Sequence, residues 1–268
     1  MSAVILEAQE HRVVSQKEWL VARRELLNKE KEATRLRDEL AVARRKLPWV
    51  EVEKDYVFDS PNGKVKLTDL FAGRKQLIVY HFMFGPDWQE GCPSCSFVSD
   101  HFDGALAHLE ARDVTLVAVS RAALAKIEAF KGRMGWHFKW VSSSGSEFNH
   151  DFHVSFTAAE LATGKVNYNY VMQEFPSAEG PGISVFFKDA NGDIFHTYST
   201  FGRGVEDAMS TYRMLDMVPK GRDEGDLEFP MAWVRYHDRY GTNEFADADK
   251  PYWPETESKS ACGCAKKG

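Results

Sequence analysis

An α/β fold, a mixed central sheet flanked by helices, is what this sequence predicts, and three stretches predict it. Leu77, Ile78, Val79, Tyr80, Phe82, Met83 and Phe84 form a nearly continuous apolar run. A run of that length, rich in β-branched and aromatic residues, suits a strand buried on both faces of a sheet. Val114–Val119 is a second such run. Between them Val98, Phe102, Ala105, Leu106 and Leu109 recur at helical spacing, so strand–helix–strand order makes a parallel unit. Ile183–Phe187 and Ile194–Tyr198 flank Asp189-Ala190-Asn191-Gly192, which reads as an antiparallel hairpin at the sheet's other side.

Taken in order, the chain divides into an N-terminal helical arm (1–47), a central domain (48–220) and a C-terminal aromatic segment and tail (221–268). Ser15–Leu47 is dense in Arg, Glu, Lys, Ala and Leu; Ser15 with Glu18 fits a capping box, and Pro48 ends the block. Trp19, Leu20, Leu26, Leu27, Leu36, Leu40 and Leu47 give an interrupted apolar stripe. It suits an arm packed on its own domain or a dimerisation arm, though the stripe is irregular for a heptad seam. Tyr56-Val57-Phe58 and Lys64–Leu67 flank Asp59-Ser60-Pro61-Asn62-Gly63 as a hairpin. Ala122–Arg133 predicts a helix with Leu124, Ile127, Phe130 and Met134 inward, and Phe138–Val141 a short strand. The segment 150–180 is aromatic and poorly patterned, an insertion or long loop. Its Asn167–Tyr170 can line a substrate groove or cover core. Val205–Leu215 reads as a closing helix.

The chemistry gathers at Gly85–Cys95. Gly85-Pro86-Asp87 ends the central strand as turn residues do. Pro93 is pre-shaped for the first helical position, which makes Cys92 the N-cap residue and sets Cys95 one turn inside, on the core face. A C-x-x-C beside a βαβ pattern reads as a thioredoxin-like dithiol. A thiol at a helix N-terminus meets the positive end of the macrodipole, which favours thiolate, whereas the neighbouring Asp87 and Glu90 oppose it. On this reading Cys92 sits at an exposed tip and attacks a substrate disulfide, and Cys95 resolves the mixed disulfide. Other readings of two such cysteines fit less well. Structural zinc wants four ligands, and the only other cysteines, Cys262 and Cys264, have a single-residue gap near the end of the chain. That pair reads as an unstructured terminus, an electron shuttle to the dithiol, or a soft-metal site. Haem attachment needs His after the second cysteine, and Ser96 stands there. His150 and His153 have metal-like spacing without a third ligand, so no metal or other cofactor is expected.

Composition bounds the rest. The 268 residues are 43% apolar and 28% charged, as in an ordinary globular protein. A net charge of -6 and a pI near 5.9 disfavour nucleic acid and anionic membranes as partners. The start, MSAVILEAQEH, lacks a basic n-region, and no run approaches the length of a spanning helix, so the expectation is a cytoplasmic protein.

Read together, EWLVARRELLNKEKEATRLRDELAVARRKLPWV, KLTDLFAGRKQLIVYHFMFGPDW, GCPSCSF and WVRYHDRY resemble a bacterial thioredoxin-like family. That family carries a domain-of-unknown-function label and is held to comprise dithiol–disulfide oxidoreductases. The resemblance runs from about Trp19 to Tyr240. It implies a thioredoxin-like fold with a peroxiredoxin-type extension at Leu67–Phe71, and a redox pair at Cys92 and Cys95. It also implies exchange with a disulfide-containing protein or a low-molecular-weight thiol. By analogy with such folds, His81, the one polar interruption of the central strand, would manage the proton of the resolving thiol, unless it is a core histidine bonded to backbone. Trp88 would shield the thiols. Pro93 and Pro181 would border the substrate, Pro181 as the candidate for the cis-proline that precedes the hairpin. Peroxiredoxins carry Thr three residues before the peroxidatic cysteine; here Gln89 precedes Cys92 by three, which argues against peroxidase chemistry by that route. Dithiol exchange, thiol peroxidase activity and a non-catalytic redox sensor or scaffold remain the competing functions.

Overall fold

A computed structural model describes residues 12–241, which divide into two units at Pro48. The first is one long helix, α1 (Gln16–Arg45). Its start is the anticipated capping box: the Ser15 hydroxyl accepts the Glu18 N–H (3.3 Å), and the Glu18 carboxylate accepts the Ser15 N–H (3.0 Å). The helix ends at the Lys46 cap, two residues before Pro48.

The second unit is built on an eight-stranded sheet of order β1-β10-β9-β4-β5-β6-β2-β3. The strands are β1 (Val50–Glu51), β2 (Val57–Ser60), β3 (Gly63–Lys66), β4 (Gln76–His81), β5 (Val114–Ser120), β6 (Lys139–Ser142), β9 (Gly182–Lys188) and β10 (Ile194–Phe201). The remaining two, β7 (Val166–Tyr168) and β8 (Val171–Gln173), pair only with each other. β4 is central: it runs parallel to β5 and antiparallel to β9, and β5 runs parallel to β6. A dithiol helix after the central strand, a parallel neighbour on one side and an antiparallel hairpin on the other make this the thioredoxin-like fold. The β2–β3 hairpin and α2 (Leu67–Leu70) supply the peroxiredoxin-type extension.

The helices of this unit are shorter than their sequence pattern. The segment after Cys92 forms α3 (Pro93–Ser99), then a 3-10 turn (Asp103–Ala105), then α4 (Leu106–Glu110). The continuous helix expected there breaks at Asp100. Beyond the break the Asp103 carboxylate accepts the N–H groups of His137 and Phe138 (2.8 and 2.9 Å), which ties it to the lead-in of β6. α5 (Leu124–Met134) follows the prediction, with Ile127, Phe130 and Met134 buried. The insertion is structured, contrary to the loop reading. It holds α6 (Phe148–Asp151), α7 (Ala158–Ala162) and the β7–β8 hairpin around a small core of Val154, Phe156, Val166, Tyr168 and Phe201. The closing helix is a 3-10 stretch (Gly202–Ala208) followed by α8 (Ser210–Leu215).

Alternation along β4 sorts the core into two layers. Tyr80, and Phe82 just beyond the strand, face a layer with Phe97, Phe102, Phe130, Trp136 and Trp140. Leu77 and Val79 face another with Val117, Val119, Phe148 and Phe186. The first layer contains the two cysteines. It also contains Val234 and Tyr236, so the described part of the C-terminal segment belongs to the core.

Candidate active site

β4 delivers the chain into the loop 82–92, and Pro93 starts α3 as anticipated, with Cys92 as its N-cap. The loop returns to its own strand: the Cys92 N–H donates to the Met83 carbonyl (3.0 Å). The Ser96 N–H (2.9 Å) and hydroxyl (3.0 Å) both donate to the Cys92 carbonyl. Gly91 is required here because a Cβ would lie 2.4 Å from the Phe82 ring and 3.0 Å from that of Phe130. Only the smallest residue lets the loop lie this flat on the aromatic layer.

Both cysteines are free thiols. Their sulfurs lie near enough for each to feel the other's charge, and the Met83 N–H points at the Cys95 sulfur (3.5 Å). Burial pushes the Cys95 thiol well up, the Cys92 sulfur beside it adds to the rise, and the Tyr80 hydroxyl and the Met83 N–H oppose it. Tyr80 is fully buried. Its hydroxyl lacks a partner of good hydrogen-bond geometry, and the group acting on it most strongly is Cys95. Tyr168, from β7, stands near enough to feel the Cys95 charge; its hydroxyl donates to the Pro181 carbonyl (2.6 Å) and accepts the Gly202 N–H (3.0 Å).

The exposed tip expected at Cys92 is not found. Cys92 is 3% exposed and Cys95 1%. The segment 231–240 packs into the same layer, next to the loop that carries Cys92. Tyr236 donates from its hydroxyl to the Gly91 carbonyl (2.6 Å), and its ring stands edge-on to Phe130. Charges clamp the segment from outside. Arg239 donates to Glu90 (3.0 Å), and Arg133 bridges Glu90 and Asp238 (2.8 Å to the latter). His237 reaches Asp100 (2.7 Å), which also accepts the Trp136 indole N–H (2.8 Å). Glu90, expected to oppose a thiolate, is therefore compensated by two guanidinium groups.

Of the residues singled out from sequence, Cys92, Cys95 and Pro93 lie together, with Trp88 half-buried against the same layer over Gly85. His81 does not join them. It lies on the opposite face of the sheet, among Phe148 and Phe152 (ring centroids 5.6 and 6.0 Å). Its Nε2 bonds Ser184 (2.8 Å), which continues through Ser199 (2.8 Å) to His196 (2.7 Å). One residue of strand register separates it from the thiols, and Tyr80 holds the place assigned to it. No described peptide bond is cis, so Pro181 precedes β9 as a trans residue and is linked to the dithiol through Tyr168. Cys262 and Cys264 lie outside the described residues. Among the described residues, no group of three His, Cys, Asp or Glu side chains is arranged to hold a metal ion, His150 and His153 included, and no helix is long and apolar enough to cross a membrane.

A family model described as a bacterial protein of unknown function, DUF899, matches residues 8–240. The chain belongs to that family. No curated protein is similar enough to match it. Among solved structures, it is similar to peroxiredoxin Q from Xanthomonas campestris (13% identity, 59% of this chain and 90% of that one, TM-score 0.40). It is also similar to a putative thiol:disulfide interchange protein DsbE from Chlorobium tepidum (14%, 63% and 96%, TM-score 0.37). A third is the peroxidoxin BcpB from Mycobacterium tuberculosis (14%, 63% and 97%, TM-score 0.37). Likeness at this level assigns no activity; the fold rests on the strand order above.

Proposed function

We propose that this DUF899 protein is a dithiol–disulfide oxidoreductase, with Cys92 as the attacking thiol and Cys95 as the resolving one. The observation that carries the reading is the pair itself: two cysteines outside any disulfide, side by side and acting on each other's charge, where the central strand hands over to a helix. The Cys92 thiolate attacks one sulfur of a substrate disulfide, forming a mixed disulfide and releasing the other substrate sulfur as thiolate. Cys95 then attacks Cys92, its proton passing to the departing thiolate, and the second substrate sulfur leaves. Two electrons have moved from the dithiol to the substrate, which ends as two thiols while the protein holds a Cys92–Cys95 disulfide.

Cys95 is the better resolving group because it is deeper and flanked by donors. The Tyr80 hydroxyl and Met83 N–H favour its thiolate at the moment of attack. The cover over Cys92 has to lift for a substrate disulfide to reach it, so exchange on this reading is gated by segment 231–240. The substrate class is a disulfide-containing protein or a low-molecular-weight disulfide.

The test is catalytic reduction of insulin or of a glutathione mixed disulfide with a thiol reductant supplied. Cys92→Ser should abolish turnover. Cys95→Ser should accumulate a mixed disulfide on Cys92, visible by intact mass. Turnover retained in Cys92→Ser defeats the assignment. A stoichiometric but non-catalytic reaction in the native protein would move the reading to a redox sensor.

A further inference from the structure

Helix α1 is 30 residues long and buries none of them. Most helical stability in proteins comes from packing an apolar face rather than from propensity, so such a helix calls for a partner. Large residues alone make its stripe look broken. Alanine completes it. With Trp19 as an a position, the a residues are Trp19, Leu26, Ala33 and Leu40, and the d residues are Ala22, Lys29, Leu36 and Ala43. The alternating spacing of three and four runs through the helix with one polar residue, Lys29. That is the seam of a left-handed coiled coil. Trp19, Leu26, Leu36 and Leu40 are each half exposed or more.

From the charges flanking this seam we infer that a second copy of this chain covers it, the two α1 helices lying parallel and in register. The g positions are Glu18, Glu25, Glu32 and Glu39, and the e positions are Arg23, Glu30, Arg37 and Arg44. In a parallel pair each g residue meets the e residue five places on in the other helix. Glu32 then meets Arg37 and Glu39 meets Arg44, on both sides of the dimer. Glu18 meets Arg23, although its carboxylate is already engaged in the capping box. The one like-charge contact is Glu25 with Glu30, and Glu30 is held by Arg23 of its own helix (2.8 Å), which offsets it. An antiparallel pair instead sets g against g, so Glu faces Glu at all four places, and e against e, where Arg23 faces Arg44 and only Glu30 with Arg37 attract. The all-Glu g flank thus meets mostly opposite charge in parallel and only like charge in antiparallel. Lys29 interrupts the seam once, at a d position, at a cost in stability.

Sedimentation of the full chain tests the assignment. The native protein should be a dimer at micromolar concentration. Glu32→Lys with Glu39→Lys reverses two contacts on each side and should raise the dimer dissociation constant roughly 30-fold or more. Arg37→Glu with Arg44→Glu should do the same. The variant carrying all four changes should dimerise like the native chain, and a mixture of the two double variants should form heterodimers. Near-UV circular dichroism reports that the second unit stays folded in each case. A monomeric native chain, a dimer indifferent to Glu32→Lys/Glu39→Lys, or a fourfold variant that fails to reassociate would each overturn the parallel seam. None of these outcomes bears on the dithiol chemistry.

Discussion

Tyr236 is where the proposed gating of the two cysteines can be measured. Its side chain is buried, its hydroxyl holds the carbonyl of the residue before Cys92, and its ring is sandwiched by Phe130, Arg133 (4.8 Å) and Arg239 (5.1 Å). Truncating a buried aromatic to Ala costs about 3–5 kcal/mol, and the lower end applies to a segment that can settle into the space. Here the loss falls on the closed position of segment 231–240 rather than on the sheet. A loss of about 3 kcal/mol raises the open population roughly 100-fold, at tenfold per 1.4 kcal/mol. Tyr236→Phe keeps the ring and removes one hydrogen bond, about 1 kcal/mol, so it should raise the population about fivefold.

The assay is alkylation of the reduced protein by iodoacetamide, with adducts located by peptide mass. When opening and closing are fast relative to labelling, the rate at Cys92 follows the open population. The expected order is Tyr236→Ala, Tyr236→Phe, native. Cys95 serves as the internal control, because global unfolding exposes both thiols alike whereas lifting the cover favours Cys92. Labelling of Cys92 at the native rate in Tyr236→Ala, with the urea midpoint of the sheet unchanged, refutes the gate. Equal acceleration at both cysteines refutes it too, by assigning the effect to unfolding.

Two further predictions concern groups on either face of the sheet. Burial lowers His81 to about 3 in the folded chain, against about 6.5 unfolded, so below about pH 6.5 the unfolded state binds a proton that the folded state refuses. Stability contributed by neutral His81 is therefore full at neutral pH and falls as pH drops. About 3 kcal/mol should be gone by pH 4, and His81→Gln should flatten that part of the urea midpoint against pH. Tyr80→Phe removes the hydroxyl that favours the Cys95 thiolate. Resolution of a preformed mixed disulfide, followed by stopped-flow release of the second thiol, should slow about tenfold while the rate of first attack by Cys92 stays native. Equal slowing of both steps would show that Tyr80 acts on packing alone.

What could be read from the sequence divides by range. The central strand, Pro93 at the helix start and the Cys92 N-cap are local signals, carried by a few adjacent residues, and the structure has them. The two sheet faces are not local. Alternation places Tyr80 and His81 on opposite faces, but nothing within the strand says which face the loop 82–92 folds onto, so the sequence alone does not tell which of the two lies beside the thiols. Beside the buried Cys92 lies a contact between residues 236 and 91, whose partners carry no shared sequence pattern. A run such as WVRYHDRY marks an aromatic segment without saying what it covers. The insertion was misjudged for a related reason. α7 has a capping box at Thr157 and Glu160, but it is only five residues long, below the window in which helical periodicity emerges.

The burial that hides Cys92 also raises Cys95, and on the proposed reading one opening of segment 231–240 would change both. A thiolate is costly in an apolar site, so a closed dithiol is both unreachable and held protonated at its deeper sulfur. On the proposed reading, opening of residues 231–240 would admit solvent to the layer that holds both sulfurs and so relieve burial, the largest cause of that rise. The clamp that sets this balance lies mostly at the surface, in Glu90, Arg133, Asp238 and Arg239, where exposed pairs are individually worth about 0–1 kcal/mol and weaken with salt. The hydrophobic part of the closure, Val234 and Tyr236, does not weaken that way. On the proposed oxidoreductase reading, a disulfide flanked by apolar residues is the substrate that would meet the aromatic layer around Phe130 once Tyr236 leaves it.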